Sequence, residues 1–172
     1  MTEGGKLAFV TVGTTKFEAL VRAVDSDACL TALRARGFTK VLMQIGHGEY
    51  TPRAEAAGLS IDFYRHNPQY KQDVARADLI ISHAGAGSVM DALSARKKLV
   101  VVVNTALMDN HQTELAEAMA DGKYCVQTSP EGLQQVLETA DLDALVPYPS
   151  PDEDAFPELV DRAMGVGAWK QE

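Results

Sequence analysis

The strongest constraint on the fold is an alternation. Five short aliphatic runs, Leu7–Val12, Val41–Ile45, Ile61–Tyr64, Leu79–Ile81 and Leu99–Val103, are separated by stretches with helical periodicity. Apolar residues recurring every three to four positions mark a helix with one buried face, whereas an unbroken run such as LVVVV marks a strand covered on both faces. The helical stretches cover about residues 17–36, 69–76, 88–95, 111–120 and 131–138, with Gly37, Gly58 and Gly122 near their expected ends. Strands joined through helices must run parallel. The pattern therefore predicts an α/β fold, a doubly wound, Rossmann-like parallel sheet.

A chain of 172 residues, 46% apolar, has room for one ordinary core. We expect that core within residues 1–145. After Leu145 the segment VPYPSPDEDAFP carries four prolines and three acids and reads as an extended linker. A short helix is expected beyond it, with Phe156, Leu159, Val160, Ala163 and Met164 on one stripe and Trp169 following. Residues 146–172 thus form a linker and a helix. The helix either packs on its own domain or docks on another chain.

The net charge of −8 gives no basic face for a polyanion, so no nucleic-acid partner is expected. Cys29 and Cys125 lie far apart without a CxxC spacing, which suggests neither a disulfide framework nor a zinc knuckle. Met1–Lys6 is polar and no run is long enough to cross a bilayer, so we expect no leader and no membrane span. The four histidines show no ligand spacing, and we expect no metal and no cofactor. Asp-x-Asp triplets begin at Asp25, Asp141 and Asp152; none follows a strand end, and all three read as surface acids.

The chemistry concentrates in ISHAGAGSVMDAL, residues 80–92. In an open parallel sheet, ligands bind where strands end, and the run Leu79–Ile81 ends at Ser82-His83. Gly85 and Gly87, flanking Ala86, let backbone approach a ligand, and a helix starting at Ser88 would point free N–H groups at an anion. A diphosphate fits that geometry. His83 can donate to a phosphate oxygen, and Asp91 can accept ribose hydroxyls. Ser88-Val-Met-Asp91 is equally a capping box, in which Asp91 only satisfies backbone donors. Gly13-Thr14-Thr15 closes the first strand as a second phosphate cradle or as a plain cap at Thr15. Gln44, Gly46 and His47 end another strand at the same edge, with no role fixed by spacing.

HAGAGSVMD resembles the sugar-nucleotide signature of GT-B glycosyltransferases, in which a histidine, a glycine, a serine and an acid line the nucleotide site; here these are His83, Gly85, Ser88 and Asp91. With VTVGTTKFEAL, QIGHGEYTP, ADLIISHAGAGS and NTALMDNHQTELA, the chain resembles the catalytic subunits of two-subunit UDP-N-acetylglucosamine transferases. Those subunits are similar to the C-terminal, donor-binding half of glycosyltransferase family 28. The family usually has glutamate where this chain has Asp91.

The resemblance implies substrate contacts from Gly13, Thr14, Thr15, His83, Gly85, Ala86, Gly87, Ser88, Asp91, Asn110, His111 and Gln112, with His83 as a diphosphate stabiliser and the sugar hydroxyls met by His111 and Gln112. It implies inverting transfer of GlcNAc from UDP-GlcNAc to a lipid-linked acceptor, GlcNAc-diphosphate-dolichol, in a β1,4 linkage. The acceptor and the lipid would be held by a membrane-anchored partner subunit, which would recruit this chain from the cytoplasm to the cytosolic face of the endoplasmic reticulum. The competing expectation is a regulatory subunit that binds the UDP-sugar without catalysis.

Overall fold

The computed structural model describes residues 5–104 and 110–148, with the side chains of residues 110–113 left aside. The expected C-terminal stripe from Phe156 to Met164, Trp169 and the Asp152 triplet all lie outside the described residues.

Seven strands form one sheet in the order β3-β4-β2-β1-β5-β6-β7. They are β1 (Lys6–Thr11), β2 (Phe38–Gln44), β3 (Glu55–Ala56), β4 (Leu59–Tyr64), β5 (Leu79–His83), β6 (Leu99–Val102) and β7 (Val126–Thr128). Every pairing is parallel except β3 with β4. The helices are α1 (Glu18–Val24), α2 (Asp27–Ala35), α3 (Tyr70–Arg76), α4 (Ala86–Ser94), α5 (Asn110–Asp121) and α6 (Leu133–Thr139). From β1 the chain winds outward through β2 to β4, then returns to place β5 on the other side of β1. The doubly wound expectation holds, and the switch point lies between β1 and β5.

Burial on both faces explains the aliphatic runs. In β6, Val100 and Val102 join a cluster with Leu20 and Val24 of α1, Leu30 and Leu33 of α2, and Leu133 and Leu137 of α6. Leu99 and Val101 face the opposite way, onto Val74 of α3, Val89 and Leu93 of α4, and Leu115 and Met119 of α5.

Three differences from the sequence reading have local causes. The single helix expected over 17–36 is two, because the Ser26 hydroxyl accepts from Cys29 N–H at 3.2 Å and caps a new start. Ala57 and Gly58, at φ 54° and 82°, make a two-residue turn that adds β3 as an antiparallel edge strand. The half-buried β7 is too short to show a period.

Asp25 also departs from expectation. It is 3% exposed, accepts the Tyr50 hydroxyl at 2.5 Å and Arg53 N–H at 3.2 Å, and so ties the segment after β2 to the end of α1. Asp141 is exposed, as expected. Cys29 and Cys125 are both free and buried. Past Leu145, the Val146 N–H donates to the Lys123 carbonyl at 2.8 Å, and Tyr148 is buried against Tyr124 with ring centroids 4.9 Å apart. No helix among the described residues is long and apolar enough to cross a membrane.

Replacing Asp25 with Ala strands the Tyr50 hydroxyl and part of the Arg53 guanidinium. Asp25→Ala is expected to cost about 1–3 kcal/mol of unfolding free energy in urea titration. A loss below a few tenths would show that the buried carboxylate holds nothing.

Candidate functional site

The site follows from register. β1 pairs with β5 so that Thr11 lies beside Ser82, and with β2 so that Thr11 lies beside Gln44. Three strand ends therefore open onto one edge, and the loops leaving β1 and β5 face each other. Between them is a cleft of about 260 Å³ lined by Gly13, Thr14, Thr15, Gln44, Tyr70, His83, Gly85, Gly87 and Ser88.

Each wall has a local origin. The Thr11 hydroxyl accepts from Gly13 N–H at 2.9 Å and donates to the Gln44 side-chain oxygen at 3.0 Å, fixing the turn after β1 to the end of β2. Gly13 sits at φ 65°, and a Cβ there would lie 3.0 Å from the His83 ring. Glycine is required both for that backbone and for the approach of the imidazole. Thr15 is no helix cap: its hydroxyl donates to the Val12 carbonyl at 2.9 Å, while α1 starts after Phe17 without a side-chain cap. The Thr15 carbonyl in turn accepts from His47 N–H at 3.0 Å, and a Cβ at Gly46 would lie 2.0 Å from that carbonyl oxygen. Gly46 and His47 thus brace the cleft from behind.

The helix beyond β5 begins earlier than expected. Gly85 is the N-cap and α4 runs from Ala86, so Ser88 stands inside the first turn rather than before it. No side chain caps this end, which removes the capping-box reading of Ser88 and Asp91. The first N–H groups of α4 remain free to meet a ligand, with the positive end of the helix dipole behind them.

His83 ends β5 only 8% exposed, and its Nδ1 has no hydrogen-bond partner among the described residues. Burial pulls its pKa down to about 4. The ring is therefore neutral at physiological pH and can offer one N–H to an incoming oxygen. A Cβ at Gly85 would lie 2.4 Å from its Nε2, so glycine there keeps the imidazole beside the helix start.

Asp91 does not line the cleft. It stands behind Tyr70, whose hydroxyl donates to its Oδ2, and Lys71 lies 3.7 Å from its Oδ1. Partial burial raises its pKa. Asn110, His111 and Gln112 occupy the first turn of α5, the helix that follows β6 at the same edge; their side chains lie outside the described residues. The structure thus brings together Gly13, Thr14, Thr15, His83, Gly85, Gly87 and Ser88, with Ala86 between the two glycines. Sequence reasoning missed Tyr70 altogether and gave Gln44 no role.

A larger cavity, about 550 Å³, lies at the opposite edge, near Lys6, Arg36, Arg96, Lys97 and Lys98. Helix C-termini gather there, and their carbonyls take two of the cations. Arg36 donates to the Leu137 and Ala140 carbonyls at 2.5 Å, Lys97 to the Ala75 carbonyl at 2.8 Å, and Lys98 pairs with Asp143. Folding contacts therefore engage Arg36, Lys97 and Lys98. Among the described residues no cluster of three or more metal-ligating side chains occurs.

A switch-point cleft, bounded by a glycine-lined helix start and a neutral buried histidine, defines the class: the C-terminal half of a GT-B glycosyltransferase. The chain belongs to the family described as glycosyltransferase family 28 C-terminal domain, which matches residues 7–163. It is 45% identical over 115 residues to the Mus musculus UDP-N-acetylglucosamine transferase subunit ALG13, a match covering 66% of this chain and 10% of that protein. The chain thus spans about a tenth of the length of its mouse relative. It is 34% identical over 160 residues to the Yarrowia lipolytica protein of the same name, covering 90% of this chain and 82% of the relative. The NMR solution structure of ALG13 superposes with a TM-score of 0.70 at 26% identity, covering 95% of this chain and 98% of that one.

A Cβ at Gly87 would meet nothing within 4 Å, so Gly87→Val should fold normally and act only on what enters the cleft. In a calorimetric titration with UDP this variant is expected to bind at least tenfold more weakly than the unaltered chain, with an undiminished melting temperature; unchanged affinity would show that this cleft is not where a diphosphate enters. His83 gives a pH signature. Its folded pKa, about 4, lies below the ordinary 6.5, so the unfolded chain binds more protons in between. The His83 contribution to stability is therefore lost as pH falls from about 6.5 toward 4. His83→Gln should flatten that slope in denaturation curves taken across the window, and an identical slope would show that the ring titrates normally.

Proposed function

We propose that this chain binds UDP-GlcNAc at the β1–β5 cleft and is the catalytic subunit of an inverting transferase that moves GlcNAc to GlcNAc-diphosphate-dolichol in a β1,4 linkage. The observation that carries the reading is the buried His83 imidazole, unpartnered at Nδ1 among the described residues, beside the uncapped start of α4. Breaking the sugar–phosphate bond leaves negative charge on the diphosphate. Free helix N–H groups, the dipole and a neutral imidazole N–H are fixed donors for that charge, and such preorganised donors act without a metal ion. The printed name of the relatives, a UDP-N-acetylglucosamine transferase subunit, supports the choice of donor.

The cleft is small for the task. About 260 Å³ lies below the roughly 300–1,000 Å³ of sites that enclose a whole ligand, and it suits a diphosphate better than a complete nucleotide sugar. We assign the acceptor and its lipid, and with them the base that takes the acceptor's proton, to a second, membrane-anchored subunit. The relatives' designation as a subunit fits that division. Such a partner would recruit this chain to the cytosolic face of the endoplasmic reticulum membrane, and residues 146–172 are the candidate tether.

Membranes carrying the partner, mixed with this chain and labelled UDP-GlcNAc, should transfer label to the lipid acceptor, while either component alone should not. His83→Ala in the same assay is expected to lower the rate by roughly 10²–10³-fold, the scale for losing one preorganised donor. UDP binding with no transfer in the complete mixture would assign the chain a regulatory role instead.

A further inference from the structure

Between Asp91 and the cleft stands Tyr70. Both are fixed by the packing of α3 on α4: Tyr70 and Lys71 are the first two residues of α3, and each meets one oxygen of the Asp91 carboxylate. Tyr70 lines the cleft with Gly85, Gly87 and Ser88, whereas Asp91 lies behind it. The side chain that a ligand meets at this wall is therefore the tyrosine.

The proton count gives the hydroxyl a definite polarity. An ionised carboxylate only accepts, so the Tyr70 hydroxyl hydrogen goes to Asp91 Oδ2. The phenol oxygen has no second hydrogen to offer. It can only accept from a ligand, and donation to a charged acceptor strengthens it in that role. A diphosphate, rich in acceptors and poor in donors, is not what this oxygen recognises. A sugar hydroxyl is.

We propose that Tyr70 is a specificity-determining residue whose phenol oxygen accepts a hydrogen bond from a ribose hydroxyl of the bound nucleotide, so that the cleft selects ribonucleoside over deoxyribonucleoside diphosphates. This rests on the donor-site reading in one respect: the phosphates lie at the start of α4, within the cleft that Tyr70 also lines. Asp91 then acts through Tyr70 by fixing the direction of its hydroxyl and is a positioning residue. A purely structural pin between α3 and α4 would also use this hydrogen bond. It would change stability without discriminating among ligands.

Calorimetric titration of the full chain with UDP, 2′-deoxy-UDP and 3′-deoxy-UDP separates these roles. Wild type is expected to prefer UDP over one deoxy analogue by roughly tenfold, the value of one hydrogen bond to a polarised group. Tyr70→Phe should weaken UDP by about that factor, leave that analogue unchanged, and so bring the two together. Asp91→Asn keeps an amide oxygen for the Tyr70 hydroxyl and should retain most of the preference. Three results would overturn the proposal: wild type binding all three diphosphates equally, a folded Tyr70→Phe chain that keeps both affinity and preference, or one that binds UDP more tightly because the tyrosine was an obstruction. Equal binding leaves the donor site standing and removes only the role of Tyr70. A wild-type chain that binds none of the three removes the donor site as well.

Discussion

The parallel pairing of β1 with β5 is the constraint on which the rest depends. These strands are distant in sequence and adjacent in the sheet, with Ala8 opposite Leu79 and Thr11 opposite Ser82. Because the chain winds away from β1 on one side and returns on the other, no crossover among the described residues covers the gap between the loops that leave them. Everything in the cleft follows from that gap. Gly13 must yield to the His83 ring, Gly85 must do the same from the other side, and α4 must start with its N–H groups facing inward. A slip of the pairing by one residue would turn β5 over and send the aliphatic faces of Ile80 and Ile81 to the wrong layers.

Much of this was legible because the sheet is buried on both faces. Continuous aliphatic runs such as Leu99–Val103 have few other uses, and strand ends give the ligand edge of an open parallel sheet without further information. The expectation that His83 and Gly85 share a site came from that rule, and the family resemblance added Gly13. What escaped were features decided by contacts distant in sequence. Asp25 looks like any acid in an Asp-x-Asp triplet until Tyr50 and Arg53 fold over it. Tyr70 carries no signal at all, since its partner Asp91 is set by the packing of α3 on α4. The helix boundary at Ala86 was missed for another reason: a glycine can end the cap without a side-chain bond, so Ser88 was the more conspicuous start.

The two sheet edges divide the electrostatic work. At the amino edge, helix C-termini collect cations on their last carbonyls, as Arg36 does at α6 and Lys97 at the end of α3. At the carboxyl edge no cationic side chain among the described residues lines the cleft; the polarity they supply comes from backbone N–H groups, Gln44, Tyr70 and a neutral histidine. A chain with net charge −8 can thus still aim the positive end of a helix dipole and free N–H groups at its cleft. Fixed dipoles need no reorganisation when a charge arrives, and salt screens a recessed dipole pocket less than it screens exposed lysines.

The same arrangement explains why His83 tolerates an orphaned ring nitrogen. A buried polar atom without a partner costs free energy, and most folds satisfy such atoms or expose them. Here neither route is open, because exposing the ring would pull it from between Gly13 and Gly85, the two positions that admit it only by lacking side chains. The cost is kept at the site rather than relaxed away. Burial holds the imidazole neutral, and a negative charge brought beside it, as the proposed diphosphate would be, would favour the protonated form and raise that pKa. A donor that would gain positive character only beside an anion differs in this from a permanent cation, which carries its charge in the empty cleft as well.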